Sequence, residues 1–165
     1  MEACFQYGFK NYEVTALEIL DLTVSSEQKQ WSGRIRECDW GAAKFLADLL
    51  EQDKFSKMKG EGSLIIMTDE GKIVSFCTLT QKDCIDDDIL FPWIGFVFTA
   101  PEYRGHRYSG QLAEYACKKA KEQGFENVYV ATDHIGLYEK YGFEYIGSRT
   151  DIYNEISRIY RKKIG

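Results

Sequence analysis

The stretch of this sequence best equipped for chemistry is Arg104-Gly105-His106-Arg107-Tyr108-Ser109-Gly110, set between an apolar segment and a helical one. Ile94 to Thr99 is rich in β-branched and aromatic residues and lies between Pro92 and Pro101, which reads as a buried strand. Beyond the turn, Tyr108, Leu112, Tyr115, Ala116 and Ala120 recur at helical spacing, and Gly124 stands where a left-handed residue would end the helix. A strand that turns straight into a helix aims several unpaired backbone N–H groups, and the positive end of the helix dipole, at one point beyond the sheet. That point is an anion site.

The elements that must hold the turn are legible on either side of it. Leu64 to Thr68 and Ile73 to Thr80 flank Asp69-Glu70-Gly71-Lys72 and predict an antiparallel hairpin. Upstream, Tyr12 to Leu17 is a candidate first strand and Ser25 to Cys38 a polar helix. Asp39 is the expected N-cap of a second helix that puts Ala43, Leu46, Ala47 and Leu50 on one face. Lys82 to Asp88 reads as a loop with an acidic tip. Downstream, the pattern predicts a buried strand at Asn127 to Thr132, a short helix around Ile135 to Tyr141, a strand from Glu144 to Ile152 and a final strand within Tyr153 to Ile164. Antiparallel strands followed by a crossover helix imply an α/β fold with a mixed sheet and helices on both faces.

With 165 residues, 44% hydrophobic, the chain has the material for one packed domain, expected to span residues 1–165. A net charge of −5 argues against nucleic acid as a partner, the basic cluster Arg158, Arg161, Lys162 and Lys163 being the exception. The five cysteines, Cys4, Cys38, Cys77, Cys84 and Cys117, are odd in number and form no Cys-x-x-Cys, so reduced thiols and a cytoplasmic location are expected. Met1-Glu2-Ala3-Cys4 lacks the basic start of a signal peptide, and no apolar run approaches membrane-spanning length, so no membrane partner is expected.

The order from Trp93 to Phe143 resembles the coenzyme A-binding half of the GNAT acetyltransferase superfamily. Arg104-Gly105-His106-Arg107-Tyr108-Ser109 resembles its Arg/Gln-x-x-Gly-x-Gly/Ala turn, with Arg107 and Ser109 in place of the two small residues, and Leu137-Tyr138-Glu139-Lys140-Tyr141-Gly142-Phe143 is similar to a short signature that follows the next strand. The resemblance implies an N-acetyltransferase that moves acetyl from acetyl-CoA to a primary amine of a small molecule or peptide by direct attack. It implies pyrophosphate contacts at Arg104, Gly105, His106, Arg107, Tyr108, Ser109 and Gly110, and pantetheine pairing on the amides of Val97 and Thr99. Amides near Phe96 and Val97 would polarise the thioester carbonyl. Tyr138 is implied as the general acid that protonates the leaving thiolate, reasonable for a phenol of pKa near ~10 facing a thiol near ~8.5. Acetyl-CoA is then a cosubstrate, no metal is expected, and a homodimer is possible.

The departures from the family pattern matter as much. Asn-x-x-Ala before Leu-Tyr is replaced by Thr132-Asp133-His134-Ile135-Gly136, where Asp133 is the expected helix cap and His134 a candidate catalytic residue near the acyl group. No acid lies between Leu90 and Ala100, so the general base must come from elsewhere: Asp133, His134 or a loop carboxylate. Asp86-Asp87-Asp88 is expected near the mouth of the site, favouring a cationic amine, and Trp31, Trp40, Tyr12 and Phe91 are candidate acceptor-side aromatics. The alternative on the same fold is a non-catalytic acyl-CoA sensor, suggested by Arg107 and the missing strand acid; the presence of Tyr138 favours catalysis. A nucleotide-binding α/β protein would need a glycine fingerprint in its first strand–helix unit, and none stands near the N-terminus.

Overall fold

A computed structural model describes residues 17–60 and 62–165. Strands β1 (Leu17–Leu22), β2 (Ser63–Asp69), β3 (Lys72–Thr80), β4 (Trp93–Thr99), β5 (Asn127–Thr132), β6 (Glu144–Thr150) and β7 (Ile156–Lys163) form one mixed sheet. Their order is β1-β2-β3-β4-β5-β7-β6, antiparallel except where β4 and β5 run parallel. Helices α1 (Ser25–Lys29), α2 (Ser32–Arg36), α3 (Gly41–Glu51) and α4 (Phe55–Lys59) precede β2, and α5 (Tyr108–Glu122) is the crossover between β4 and β5.

The central strands explain the two layers. Period-2 alternation in β2 sends Leu64 and Ile66 to the face covered by Ala43, Leu46, Ala47 and Leu50 of α3, and Ile65 and Met67 to the face covered by Leu112, Ala113, Ala116 and Ala120 of α5. All eight of those helix residues are buried, and each leucine contributes about 1.5–3 kcal/mol by leaving water. Lys119 pairs with Asp21 at 2.6 Å, and Tyr115 donates to the same carboxylate, which fastens α5 to β1.

The N-terminal half departs from the sequence reading in four places. Residues 12–16 of the expected first strand lie outside the described residues, and the described strand begins at Leu17. The expected helix from Ser25 to Cys38 is two short helices, because Gln28 turns inward and donates to the carbonyls of Leu22 and Gly62. Trp40, not Asp39, occupies the cap of α3; its ring stacks on Phe98 at 5.8 Å, a packing contact that displaces a polar cap. Helix α4 is too short to show apolar periodicity, and the pattern does not predict it. Downstream, the segment around Ile135 reduces to one 3₁₀ turn at Tyr138–Tyr141, and a turn at 151–155 separates β6 from β7, where Asp151 Oδ1 accepts the amides of Tyr153 and Glu155.

Candidate active site

The site begins with a defect in the sheet. β4 and β5 pair only at Trp93–Tyr129 and Ile94–Val130, so the two strands part from Gly95 onward. On its other edge β4 slips register against β3 between Phe76 and Thr78, and Phe96 takes a positive φ of 49°. That left-handed backbone costs an aromatic residue about 1–2 kcal/mol and marks a bulge held by its surroundings. The Ala100 amide bonds to Val74 in β3; by alternation along the strand, the Thr99 and Val97 amides face the gap. A cleft of about 1130 Å³ opens there, lined by residues 94–99 of β4, Val130 to His134 after the parting of β5, and the turn before α5.

The turn supplies the donors. Gly105 has φ +87°, with nothing within 4 Å of where a Cβ would sit, so its backbone is open to a close approach. No side chain caps α5, leaving the amides of Tyr108, Ser109 and Gly110 as the helix's unpaired first-turn donors. Arg107 takes a left-handed conformation, φ 61°, which explains why a glycine suits that position; its guanidinium donates to the Lys140 carbonyl at 3.4 Å, over the Tyr141 ring at the cleft's edge. His106 is exposed and stacks on Tyr108 at 5.4 Å. Gly110 serves packing rather than phosphate approach through its missing side chain: a Cβ there would lie 2.5 Å from the Tyr141 ring, whose hydroxyl bonds Ser109 at 3.0 Å.

Tyr138 stands in the cleft wall. Its ring is buried against Tyr141 (5.9 Å between centroids), Phe143 (5.8 Å) and Tyr160 (6.1 Å), and its hydroxyl has no hydrogen-bond partner among the described residues. Burial pushes the phenol well above its ordinary value, so it is a neutral donor across the physiological range. The segment around it is tethered to β7: the Tyr160 hydroxyl donates to Glu139 Oε1 at 2.7 Å, with the His134 carbonyl 3.3 Å from the same oxygen. His134 is exposed and lines the cleft. Asp133 also lines it but caps nothing, since the 3₁₀ turn starts only at Tyr138, beyond its reach; Thr132 Oγ1 accepts the His134 amide instead.

The acidic loop does other work than the sequence suggests. Asp86, Asp87 and Asp88 do not line the cleft. Asp87 Oδ1 accepts the amides of Ile89 and Leu90, and its other oxygen pairs with Arg149, contacts that hold its carboxyl below the usual range. The carboxylates that do line the cleft are Asp39, Asp83, Asp133, Asp151 and Glu155. Asp83, Asp151 and Glu155 are the ones that the sequence did not single out; Asp83, an unremarkable loop acid in the sequence, turns inward against Gly95. Of the aromatic candidates, Trp40 lines the cleft, Phe91 lines a separate cavity at the other end of the sheet, Trp31 packs beneath α3, and Tyr12 lies outside the described residues. Among the described residues, no three His, Cys, Asp or Glu side chains gather to hold a metal ion.

A model of the Acetyltransferase (GNAT) family matches residues 21–143, from β1 through the Tyr138 turn. The chain belongs to the GNAT acetyltransferase family. Solved structures share the fold at low identity. An aminoglycoside 6'-N-acetyltransferase complexed with coenzyme A is 15% identical, over 90% of this chain and 97% of that one, with a TM-score of 0.64. A GNAT acetyltransferase from Elizabethkingia anophelis with acetyl-CoA bound is 16% identical over 89% and 97%, TM-score 0.60. A spermidine N-acetyltransferase chimaera from Vibrio cholerae and hSSAT is 12% identical over 90% and 95%, TM-score 0.63. No curated protein matches the sequence. Among the described residues, no helix of this GNAT chain is long and apolar enough to cross a membrane.

Proposed function

We propose that this GNAT chain transfers acetyl from acetyl-CoA to a primary amine by direct attack, with residues 1–165 acting as one cytoplasmic domain. The observation that carries the reading is the parting of β4 and β5 at the Phe96 bulge, with Tyr138 in the wall of the gap and the uncapped start of α5 at its end. The donor set fits the cosubstrate. The amides from Gly105 to Gly110 hold the pyrophosphate, with Arg104 and Arg107 adding positive charge at the rim and His106 at the surface. The Val97 and Thr99 amides pair with the pantetheine arm, and the bulge at Phe96 points amides at the thioester oxygen. Tyr138 gives its proton to the departing sulfur, and His134 borders the acyl end. Aligning amine and thioester in one cleft supplies much of the rate without a covalent enzyme intermediate. Cys77, Cys84 and Cys117 support this, since burial raises each thiol and makes it a poor nucleophile.

The acceptor end is bordered by carboxylates, and two of the structural neighbours act on aminoglycosides and spermidine, so the acceptor proposed is a cationic amine. The test is release of free thiol from acetyl-CoA with spermidine, kanamycin and small primary amines, alongside the melting temperature. Acetyl-CoA at 100 times its Kd should stabilise the fold by about 2.7 kcal/mol. An unchanged melting temperature, or no thiol release with any amine, refutes the reading.

A further inference from the structure

We propose that Asp83 is the catalytic residue that takes the proton from the acceptor ammonium, so that the amine attacks in its neutral form. The inference rests on the N-acetyltransferase reading above. Its warrant is placement. Thr80 donates its hydroxyl to the Lys82 carbonyl at 2.7 Å, and the Lys82 amide bonds the Lys59 carbonyl in α4, which bends the chain after β3 so that residue 83 faces the sheet. There the carboxylate lies against Gly95: a Cβ on that glycine would be 2.5 Å from Oδ1 and 3.1 Å from Cγ. Gly95 is the residue before the Phe96 bulge and the point where β4 and β5 part. Asp83 lines the cleft with Tyr138 and is near enough for its charge to help raise that phenol. Acid and base therefore border the same gap.

The other carboxylates at the cleft are less suited. Asp151 is occupied by the amides of Tyr153 and Glu155 and the Ser157 hydroxyl, while Asp39, Asp133 and Glu155 lack the shelter of the cleft floor. Asp83 is sheltered, with 12% of its side chain exposed, yet it borders open space. Its cationic neighbour, Lys59 Nζ, is 3.9 Å away, beyond hydrogen-bond range, so the pair is not a direct hydrogen-bonded ion pair. Burial raises the Asp83 carboxyl above its usual range, opposed by the Lys59 ammonium and by the amide and thiol of Cys84. The remaining titratable groups facing it are the phenols of Tyr138 and Tyr153, both neutral at working pH. A carboxylate made more basic by burial, beside a cation that keeps it from being neutralised outright, is suited to accept a proton near neutral pH.

The step balances. Asp83 takes one proton from R–NH3+; the freed lone pair attacks the thioester carbon and the C–N bond forms. As the C–S bond breaks, the thiolate takes the Tyr138 proton, and the phenolate recovers one from the amide nitrogen. The proton on Asp83 leaves to solvent, giving amide, thiol and one H+.

The test compares wild type and Asp83→Asn with two small probes at pH 7: n-propylamine, which is protonated, and hydroxylamine, which is neutral and needs no base. An amine of pKa near ~10 is about one part in 10³ neutral at pH 7, so the variant should lose ~10²–10³-fold with propylamine and regain about tenfold per pH unit as the solvent deprotonates the amine. With hydroxylamine it should stay within about threefold of wild type. Equal losses with both probes, or no loss with propylamine, overturn the inference, as does a wild type that acetylates hydroxylamine alone. A wild type that releases no thiol with either probe sinks the acetyltransferase reading itself. Should Asp83→Asn fail to fold, Lys59→Met carries the test. Removing the cation raises the carboxyl further, so the ascending limb of kcat against pH with propylamine moves to higher pH; an unmoved limb overturns the assignment.

Discussion

Replacing Tyr138 by phenylalanine removes one oxygen from the cleft wall and nothing else. The ring contacts with Tyr141, Phe143 and Tyr160 are made by carbon, and the hydroxyl has no partner to orphan among the described residues. Stability should therefore change by less than about 1 kcal/mol, and acetyl-CoA should shift the melting temperature as in wild type. Turnover is another matter. Burial makes Tyr138 a weaker acid than free phenol, so in the proposed step its hydrogen bond to the thiolate forming out of water stabilises the transition state before the proton is passed on. A hydrogen bond to a charged group contributes about 1.5–3 kcal/mol, which corresponds to a loss of ~10–10²-fold in kcat. The assay is thiol release under saturating acetyl-CoA and amine, with the cosubstrate Kd measured separately. The direction of the pKa shift adds a second readout. A phenol raised in the folded state contributes stability that is present below its unfolded value, ~10, and fades as pH climbs toward the folded value. Wild type should therefore lose stability above pH ~10 more steeply than the phenylalanine variant. Wild-type turnover in the variant, or an equal loss of cosubstrate affinity, would return Tyr138 to the core.

Gly105→Val should weaken acetyl-CoA binding at least tenfold while leaving the fold intact, because a β-branched residue at φ +87° is strained by about 1–2 kcal/mol and its side chain enters the space the phosphates need; titration of the melting temperature with acetyl-CoA checks both. Gly110→Ala should lower stability by about 1–3 kcal/mol through overpacking, since the new methyl sits 2.5 Å from the Tyr141 ring and breaks its bond to Ser109; a melting temperature equal to wild type would show that the ring moves freely. Asp87→Ala should destabilise the protein with little change in KM for amines. Because the folded carboxyl is lowered by the Leu90 amide first and then by Arg149, its stabilisation is full above the unfolded value of ~3.9 and is lost as pH falls through the folded one. The gap in melting temperature between wild type and variant should close below pH ~4, and a gap that persists there refutes the reasoning.

What the sequence disclosed and what it hid divide along a physical line. The turn from Arg104 to Gly110, the α5 stripe and the Tyr138 signature are local, their meaning set by spacing within a few residues. The hairpin of β2 and β3 was legible for the same reason. The bulge was not: it arises from a register slip between β3 and β4, and nothing in Gly95-Phe96-Val97 announces that the aromatic residue takes the positive φ while the glycine beside it does not. The acidic loop misled because charge density is visible in a sequence and direction is not. Three adjacent aspartates looked like the acceptor's counter-charge, yet Asp87 is turned to its own loop amides and to Arg149, while a solitary acid earlier in the same loop, Asp83, faces the cleft.

One backbone irregularity links these observations. The slip at Phe76/Thr78 shifts β4 against β3 just where β4 loses its pairing with β5, and the gap and the bulge appear together at Gly95 and Phe96. A side chain on Gly95 would meet the Asp83 carboxylate and lie 3.3 Å from Thr78 Oγ1, a buried hydroxyl without a partner among the described residues. The missing Cβ is therefore what lets a charged side chain from the β3–β4 loop reach the floor of the cleft. That accounts for the absence of an acid on β4 itself. In a strand whose inward positions are filled by Trp93, Ile94 and Phe98, an added carboxylate would be buried against apolar rings at a cost of several kcal/mol. Delivering it from the loop, beside the buried Lys59, brings the charge to the cleft floor while the strand keeps its packing.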